Sequence, residues 1–336
     1  ILCLLPLTGG YHMNLMKAES PGPSVSKLVP KVQSTAKILY TIYIILTIVE
    51  IIFLLIGKMP LFDTLCLSFG TAGTGGFGIK NDSIASYSTY NQVVITVFMI
   101  LFGINFNAYY LLLTKKVMQA AKNEEVRYYL GISGLAIVAI AINTREMFTS
   151  FGRAFQQAAF QVGSIITTTG YATTDFNVWP VFSKTILVIL MFVGACAGST
   201  GGGIKVSRLL ILCKSARKEL QLYLHPNAVK KIKMDDKAIP HEVVRATNMF
   251  LFVYIMIFVT SLLIISLDNL DMVSNFTAIA ATLNNIGPGL GAVGPTGNFN
   301  TYSYISKAVM IFDMLAGRLE VFPLLLLFKR DTWRKF

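Results

Sequence analysis

The chain has 336 residues, of which 54% are hydrophobic and only 14% are charged, whereas soluble proteins carry about a quarter of their residues as charged side chains. Its mean hydropathy is +0.61, and its long apolar runs match the roughly 20 residues that a helix needs to cross a bilayer. This composition excludes an ordinary soluble domain and predicts a multi-pass membrane protein.

The net charge of +12 has a topological explanation. Of the 29 Lys and Arg residues, 22 lie in 12–37, 114–127, 205–245 and 329–336. We predict that these segments are cytoplasmic, because positive residues concentrate on that side of membrane proteins. The basic excess is therefore mostly topological and does not indicate nucleic acid, and the segment 205–245 could also meet acidic lipid or a cytosolic partner.

Taken in chain order, the apolar segments form a repeating pattern. Residues 1–35 read as the end of a span and a proline-containing cytoplasmic connector. A pattern of span, short apolar segment, glycine loop and span then occurs three times, in 36–127, 128–245 and 246–336. The predicted spans are 36–57, 91–113, 128–143, 181–213, 246–267 and 303–328.

The short apolar segments cannot cross a bilayer alone, because a 12-residue helix is only about 18 Å long. With their loops they form predicted re-entrant segments at 60–83, 151–177 and 272–298. Non-helical backbone is tolerated at membrane depth only where protein buries it or a watery path solvates it. The predicted fold is therefore all-α, with three complete helix–pore loop–helix units around a central pore.

Each glycine loop carries a similar tetrapeptide: TGGF at 74–77, TTGY at 168–171 and NIGP at 285–288. Its glycine can adopt the unusual backbone angles that aim carbonyl groups inward, and such carbonyls can replace the hydration shell of an alkali cation. Phe77 and Tyr171 are expected to brace their loops against neighbouring helices. The alternative is that all three loops are ordinary extracellular turns.

The fourth predicted span is interrupted. The sequence GACAGSTGGGIK, at 194–205, separates the apolar runs 181–193 and 206–213. Together these segments hold 33 residues, well above the roughly 20 that one crossing needs. We predict that 194–205, called the intramembrane loop below, leaves the helix and crosses the pore beneath the glycine loops. A simple glycine kink is the alternative.

Among the charged residues inside predicted spans, Arg318 and Glu50 are considered for function. Arg318 is a functional candidate because a charge at membrane depth is costly, although a structural salt bridge with Asp313 or Glu320 is the alternative. For Glu50, ion coordination competes with interhelical pairing and with an interfacial location. The spans contain no cluster of nucleophile and base, so the sequence argues against an intramembrane enzyme.

Several motifs give the chain a family resemblance: TGGFG, ITTTGYATTDFN, CAGSTGGGIKVSRLLIL, NNIGPGLGAVGPTGN and AGRLEVFPLLLLF. They resemble the Trk/Ktr/HKT superfamily of potassium transporters, most closely the bacterial Trk-type potassium uptake membrane subunit. The resemblance implies four repeats around one pore. Because three complete repeats and the tail of another are recognisable, we expect that the sequence is N-terminally incomplete and lacks the first pore loop.

The resemblance also implies roles for individual residues. The implied potassium filter consists of Thr74, Gly75, Gly76, Thr168, Thr169, Gly170, Asn285, Ile286 and Gly287. The implied gate consists of Gly198, Ser199, Thr200, Gly201, Gly202 and Gly203. Arg318 is the implied charge barrier below the filter. Asn285 and Ile286 depart from the threonine-rich form of the other two loops.

The implied activity is potassium uptake, with sodium or mixed monovalent-cation transport as the alternative, and no cofactor beyond the transported ion. The implied partners are a second copy of the subunit and a cytosolic nucleotide-binding regulatory subunit. The basic stretch 214–237 is a candidate docking surface for that subunit. The alternative, with equal weight, is that this stretch is a solvated cytoplasmic loop.

Overall fold

The computed structural model describes residues 32–225 and 231–319, and side chains from Lys37 onward. This part of the chain is mostly helical. Its helices are α1 (Val32–Ile56), α2 (Leu61–Ala72), α3 (Thr89–Phe102), α4 (Phe106–Leu113), α5 (Val117–Lys122), α6 (Glu124–Asn143), α7 (Phe151–Ile166), α8 (Val181–Val193), α9 (Val206–Leu224), α10 (His241–Ile265), α11 (Met272–Leu283) and α12 (Tyr304–Leu319). A two-stranded antiparallel hairpin, β1 (Lys233–Met234) and β2 (Lys237–Ala238), precedes α10.

Polar residues at the helix starts fix several of these boundaries. The side chains of Ser88, Asn105 and Asn123 accept hydrogen bonds from backbone N–H groups in the first turns of α3, α4 and α6. Ser150 and Asp271 do the same for α7 and α11. Such caps satisfy N–H groups that have no partner within the helix.

Three described helices are long and apolar enough to cross a membrane, within Lys37–Ile56, Glu124–Asn143 and His241–Asp268. They agree with three of the predicted spans. The predicted short segments are also confirmed as helices, at Leu61–Ala72, Phe151–Ile166 and Met272–Leu283.

The predicted span 91–113 is not one straight helix. The chain bends by 91° between α3 and α4. Gly103 lies at the bend, where a Cβ would come within 2.3 Å of the Tyr129 hydroxyl. Asn105 then caps a new helix by accepting from the N–H of Asn107 at 2.9 Å. The chain therefore bends at Gly103, where Tyr129 of α6 packs closely and Asn105 caps a new helix, although the apolar pattern of the sequence is continuous.

Two buried clusters hold the helices together. One joins α6, α7, α8, α10 and α11 and includes Ile140, Ile165, Leu187 and Phe258. The other joins α1, α2 and α3 and includes Leu54, Leu67 and Met99, together with Tyr171 from the second glycine loop. The second glycine loop is buried among these clusters, whereas Gly75, Phe77 and Gly287 of the other two loops are exposed.

The stretch 214–245, predicted as a cytoplasmic loop, contains the end of α9, the hairpin and the start of α10. Lys205 and Arg208, which were counted with the cytoplasmic charges, are only 4% and 9% exposed. Residues 1–31, 226–230 and 320–336 lie outside the described residues, so the predictions for the connector, for the end of the last span and for Glu320 stay predictions.

Candidate ion pathway

The three glycine loops share one backbone conformation. The φ angles of Thr74, Thr168 and Asn285 are 51°, 59° and 57°. The glycine two residues later is also left-handed in each loop, with φ of 67° at Gly76, 86° at Gly170 and 109° at Gly287. A residue with negative φ separates the two in every case. This agreement arises although the third loop has Asn285 and Ile286 where the second has two threonines.

A common hydrogen bond holds each loop against its short helix. The N–H groups of Gly75, Thr169 and Ile286 donate to carbonyls five residues earlier, at 2.7, 2.9 and 2.8 Å. In the described part of the chain, no hydrogen bond to protein involves the carbonyl oxygens of 74–76, 168–170 or 285–287. Such carbonyls can be satisfied by water or by a cation.

The loops interlock through their glycines. A Cβ on Gly76 would lie 1.7 Å from the carbonyl oxygen of Thr169, and one on Gly170 would lie 1.9 Å from that of Ile286. Gly76 therefore packs against the residue before Gly170, and Gly170 packs against the residue before Gly287. A Cβ on Gly287 would meet nothing within 4 Å.

The two aromatic residues behave differently. Tyr171 is fully buried, and its hydroxyl donates to the carbonyl of Leu67 in α2 at 3.2 Å. It thus braces the second loop against the first short helix, as predicted. The ring of Phe77 is 82% exposed, so the predicted brace on the first loop is not seen among the described residues.

The intramembrane loop separates α8 from α9 and packs against two of the glycine loops. The N–H of Gly202 donates to the hydroxyl of Thr168 at 2.6 Å, and the hydroxyl of Thr74 donates to the carbonyl of Thr200 at 2.9 Å. A Cβ on Gly202 would lie 2.9 Å from the carbonyl oxygen of Asn284, next to the third loop. The kink alternative is wrong, because twelve residues of non-helical chain separate the two helices.

Close packing that only a glycine permits brings Arg318 to this loop. Gly317 lies against the end of α11, where a Cβ would come within 1.9 Å of the carbonyl oxygen of Leu283. The amide of Asn285 donates to the carbonyl of Met314 at 3.1 Å and joins α12 to the third loop. Arg318 then donates to the carbonyl of Thr200 at 3.4 Å.

The predicted alternative of an Arg318–Asp313 salt bridge is not what the structure contains. Asp313 is fully buried and accepts a hydrogen bond from the hydroxyl of Ser261 at 2.8 Å. Lys205, the last residue of the intramembrane loop, folds back onto it, and its ammonium group donates to the carbonyl of Gly201. Two cationic side chains therefore contact the loop at carbonyl oxygens.

Glu125, near the start of α6, was missed by the sequence reasoning. It is 3% exposed. One carboxylate oxygen accepts from the N–H groups of Ala197 at 2.6 Å and Ser207 at 3.1 Å, and the other accepts from the side chain of Asn105 at 3.4 Å. The acidic pair after Asn123 looked like the usual charge at a helix N-terminus, so no local pattern signalled this contact.

Glu50 is fully buried in α1. Neither carboxylate oxygen has a hydrogen-bond partner of normal geometry among the described residues. Burial inside the protein does not fix depth in the membrane, so the interfacial location stays a prediction, and the hydroxyl of Thr71 in α2 approaches the carboxylate.

Comparisons with known proteins agree with this architecture. The TrkH family, described as cation transport proteins, matches residues 2–334. The Trk system potassium uptake protein TrkH of Salmonella typhimurium is 36% identical over 339 residues, which cover 99% of this chain and 70% of that protein. TrkG of Escherichia coli is 32% identical, over 99% of this chain and 69% of its own length.

The fold has a solved counterpart. The crystal structure of the potassium transporter TrkH from Vibrio parahaemolyticus superposes with a TM-score of 0.84 at 34% identity and covers 99% of this chain and 70% of that one. These relatives are transport proteins and not enzymes. The fold is that of a multi-pass, helical membrane protein.

Proposed function

This chain belongs to the TrkH family of cation transport proteins, and from that premise we propose that it takes up potassium across the bacterial cytoplasmic membrane through a filter of backbone carbonyls. The single observation that carries the proposal is the repeated conformation of the three glycine loops. In each, two left-handed residues flank one residue of negative φ, and the carbonyls accept no hydrogen bond from described protein groups.

The chemistry of the proposed filter depends on the backbone and not on side-chain identity. Carbonyl dipoles replace the water that a potassium ion sheds on entry. This supports an equivalent contribution from the third loop, whose angles match those of the other two although Asn285 and Ile286 replace threonines. No cofactor beyond the transported ion is needed, because the membrane potential supplies about 2.3 kcal/mol per charge per 100 mV.

The intramembrane loop is the proposed gate, with Gly198, Ser199, Thr200, Gly201, Gly202 and Gly203 at its centre. Its contacts with Thr74 and Thr168 support a position directly beneath the filter. Arg318, which contacts the same loop, is the proposed charge barrier, because a fixed cation raises the free energy of a passing cation.

The proposed assembly is a homodimer with a cytosolic nucleotide-binding regulatory subunit. The relatives are named as parts of a Trk system, which supports a multi-component assembly of this kind. The basic stretch 214–237 remains the proposed docking surface. Its hairpin lies on the outside of the fold, with Lys233 and Lys237 exposed.

Complementation tests the proposal. The complete gene is expressed in a host that lacks potassium uptake, and growth at low potassium and uptake of ⁸⁶Rb⁺ are measured. Rescue that excess sodium does not inhibit is the expected result. Strong competition by sodium would favour the mixed-cation alternative, and no rescue by well-expressed protein would overturn the transporter proposal.

Deletion of residues 199–203 tests the gate separately. We expect increased ⁸⁶Rb⁺ flux in protein that still purifies as a single species. Unchanged or lower flux in such protein would overturn the gate while leaving the filter proposal intact.

A further inference from the structure

We propose that Glu125 is a positioning residue that holds both ends of the intramembrane loop, and that the cytoplasmic hairpin controls it through the first turn of α6. This inference rests on the proposed gate and adds the route by which a cytosolic partner reaches it. The route consists of a hairpin, one helix start and one buried carboxylate.

The carboxylate of Glu125 spans the glycine-rich part of the loop. Its Oε1 accepts from Ala197, which precedes the central glycines, and from Ser207, which follows them in the first turn of α9. One oxygen atom therefore fixes two backbone positions ten residues apart. The N-terminal end of α9 also favours a negative charge at this place.

The same side chain reaches the bend between α3 and α4. Its Oε2 accepts from the amide of Asn105. That part of the chain supports the loop directly, because Cys196 donates to the carbonyl of Gly103 and Phe106 donates to that of Gly198, both at 3.1 Å. Glu125 thus hydrogen-bonds to the start of the intramembrane loop, to the first turn of α9 and to the bend between α3 and α4. Among these contacts, no other side chain reaches all three segments.

The hairpin attaches to the residues immediately before Glu125. Asp235, in the hairpin turn, accepts from the N–H of Glu124 at 2.8 Å through one oxygen and from the amide of Asn123 at 3.1 Å through the other. A third contact runs through Lys214 of α9, whose ammonium group pairs with Glu124 and donates to the carbonyl of Lys233 at 2.8 Å.

These contacts make the route physically continuous. Asp235 is exposed, whereas Glu125 is buried. Asp235 accepts from the backbone N–H of Glu124, and the next residue along the chain is Glu125, which contacts the loop. A helix start moves as a unit, so displacement of the hairpin shifts Glu125 relative to Ala197 and Ser207. The coupling between Asp235 and Glu125 is measured directly by combining substitutions at the two sites.

The chain offers a matched control. Asp235 and Asp236 are adjacent, exposed and left-handed, with φ of 49° and 62°, and asparagine tolerates this conformation well. Asp235→Asn weakens the contact with α6, whereas Asp236→Asn makes the same change of charge beside it. Glu125→Gln keeps the size of the buried side chain and removes its charge.

Purified full-length variants are reconstituted in proteoliposomes, and ⁸⁶Rb⁺ flux is measured with the intramembrane loop intact and with 199–203 deleted. With the loop intact, we expect Glu125→Gln and Asp235→Asn to raise flux by on the order of tenfold, since hydrogen bonds to charged groups shift two-state equilibria by that factor. Asp236→Asn should leave flux unchanged. The Glu125→Gln/Asp235→Asn double variant should add nothing to Glu125→Gln.

In the loop-deleted protein, Glu125→Gln and Asp235→Asn should leave the ⁸⁶Rb⁺ flux unchanged. A residue that only stabilised the fold would change the flux whether or not the loop was present. Equal changes with and without the loop would overturn the positioning role, and equal fluxes of the two asparagine variants would overturn the hairpin's part. If Glu125→Gln does not yield folded protein, the exposed pair of variants still decides the hairpin's part. Deletion of 199–203 without any rise in flux would instead overturn the gate itself, and this inference with it.

Discussion

Gly170 packs directly against the carbonyl group of Ile286, so closely that a Cβ on the glycine would lie 1.9 Å from the carbonyl oxygen. The second and third glycine loops therefore meet backbone to backbone. The first and second loops meet in the same way, through Gly76 and Thr169. A methyl group at either glycine must displace a carbonyl that belongs to the proposed filter.

The first prediction concerns this contact. Gly170→Ala should reduce ⁸⁶Rb⁺ uptake at least tenfold and weaken discrimination against sodium. The left-handed backbone costs an alanine about 1–2 kcal/mol, and the clash shifts Ile286. Gly131→Ala, in α6 with nothing within 4 Å of the added Cβ, is the matched control and should leave uptake unchanged. Equal uptake by the two variants would contradict the packing argument.

The second prediction concerns Arg318. Arg318→Gln should raise cation flux, because it removes a positive charge from the pathway and the contact with the carbonyl of Thr200. Lys307→Gln, at the other end of α12, where Lys307 donates to the carbonyl of Asn300, makes the same charge change outside the proposed pathway. Flux through reconstituted protein checks both. If the two variants conduct alike, Arg318 is not a barrier.

The third prediction concerns Glu50. An ionised carboxylate without a partner at membrane depth is costly, so Glu50→Gln should fold with an unchanged or higher melting temperature. Thermal unfolding in detergent measures this, with Glu219→Gln on the exposed side of α9 as the control. A melting temperature several degrees below that of the control would reveal a partner that depends on the charge of Glu50.

The fourth prediction concerns pH and the start of the third short helix. The hydroxyl and backbone N–H of Ser274 hold the pKa of Asp271 below its ordinary 3.8. Because the pKa of Asp271 is lower in the folded protein, its cap contributes its full stabilisation above about pH 4, near the unfolded pKa. That stabilisation is lost as the pH falls through the lower pKa of the folded state.

Asp271→Ala should therefore lower stability at pH 7 by about 1 kcal/mol, and its difference from the unsubstituted protein should narrow below pH 4. Thermal unfolding across pH 3–7 measures the difference. Glu219→Ala provides an exposed acidic control. A difference that stays constant down to pH 3 would show that the cap does not depend on the charge of Asp271.

Much of the fold could be predicted from short-range patterns. The short helices Phe151–Ile166 and Met272–Leu283 begin where the predicted segments 151–177 and 272–298 begin, because an apolar run between capping residues and glycines is limited at both ends. The break at 194–205 followed from simple length, since 33 residues exceed what one crossing requires.

The bend at Gly103 and the role of Glu125 could not be predicted in this way. Gly103 lies in an apolar run that reads as continuous helix, and the Tyr129 side chain that occupies the space beside it is 26 residues away in sequence. Glu125 reads as an ordinary acidic residue of a first helical turn. Its partners Ala197 and Ser207 become neighbours only when α6 and α9 pack together.

The sequence by itself determined the membrane class, the repeating order of spans and short helices, and the positions of the glycines, because these depend on apolar length and on residues that tolerate left-handed backbone. Only the tertiary structure decided which carbonyl each glycine packs against, that Arg318 contacts the intramembrane loop rather than Asp313, and that one carboxylate holds both ends of that loop. Those relationships join residues far apart in the chain, and only the packing of the helices fixes the distances between them.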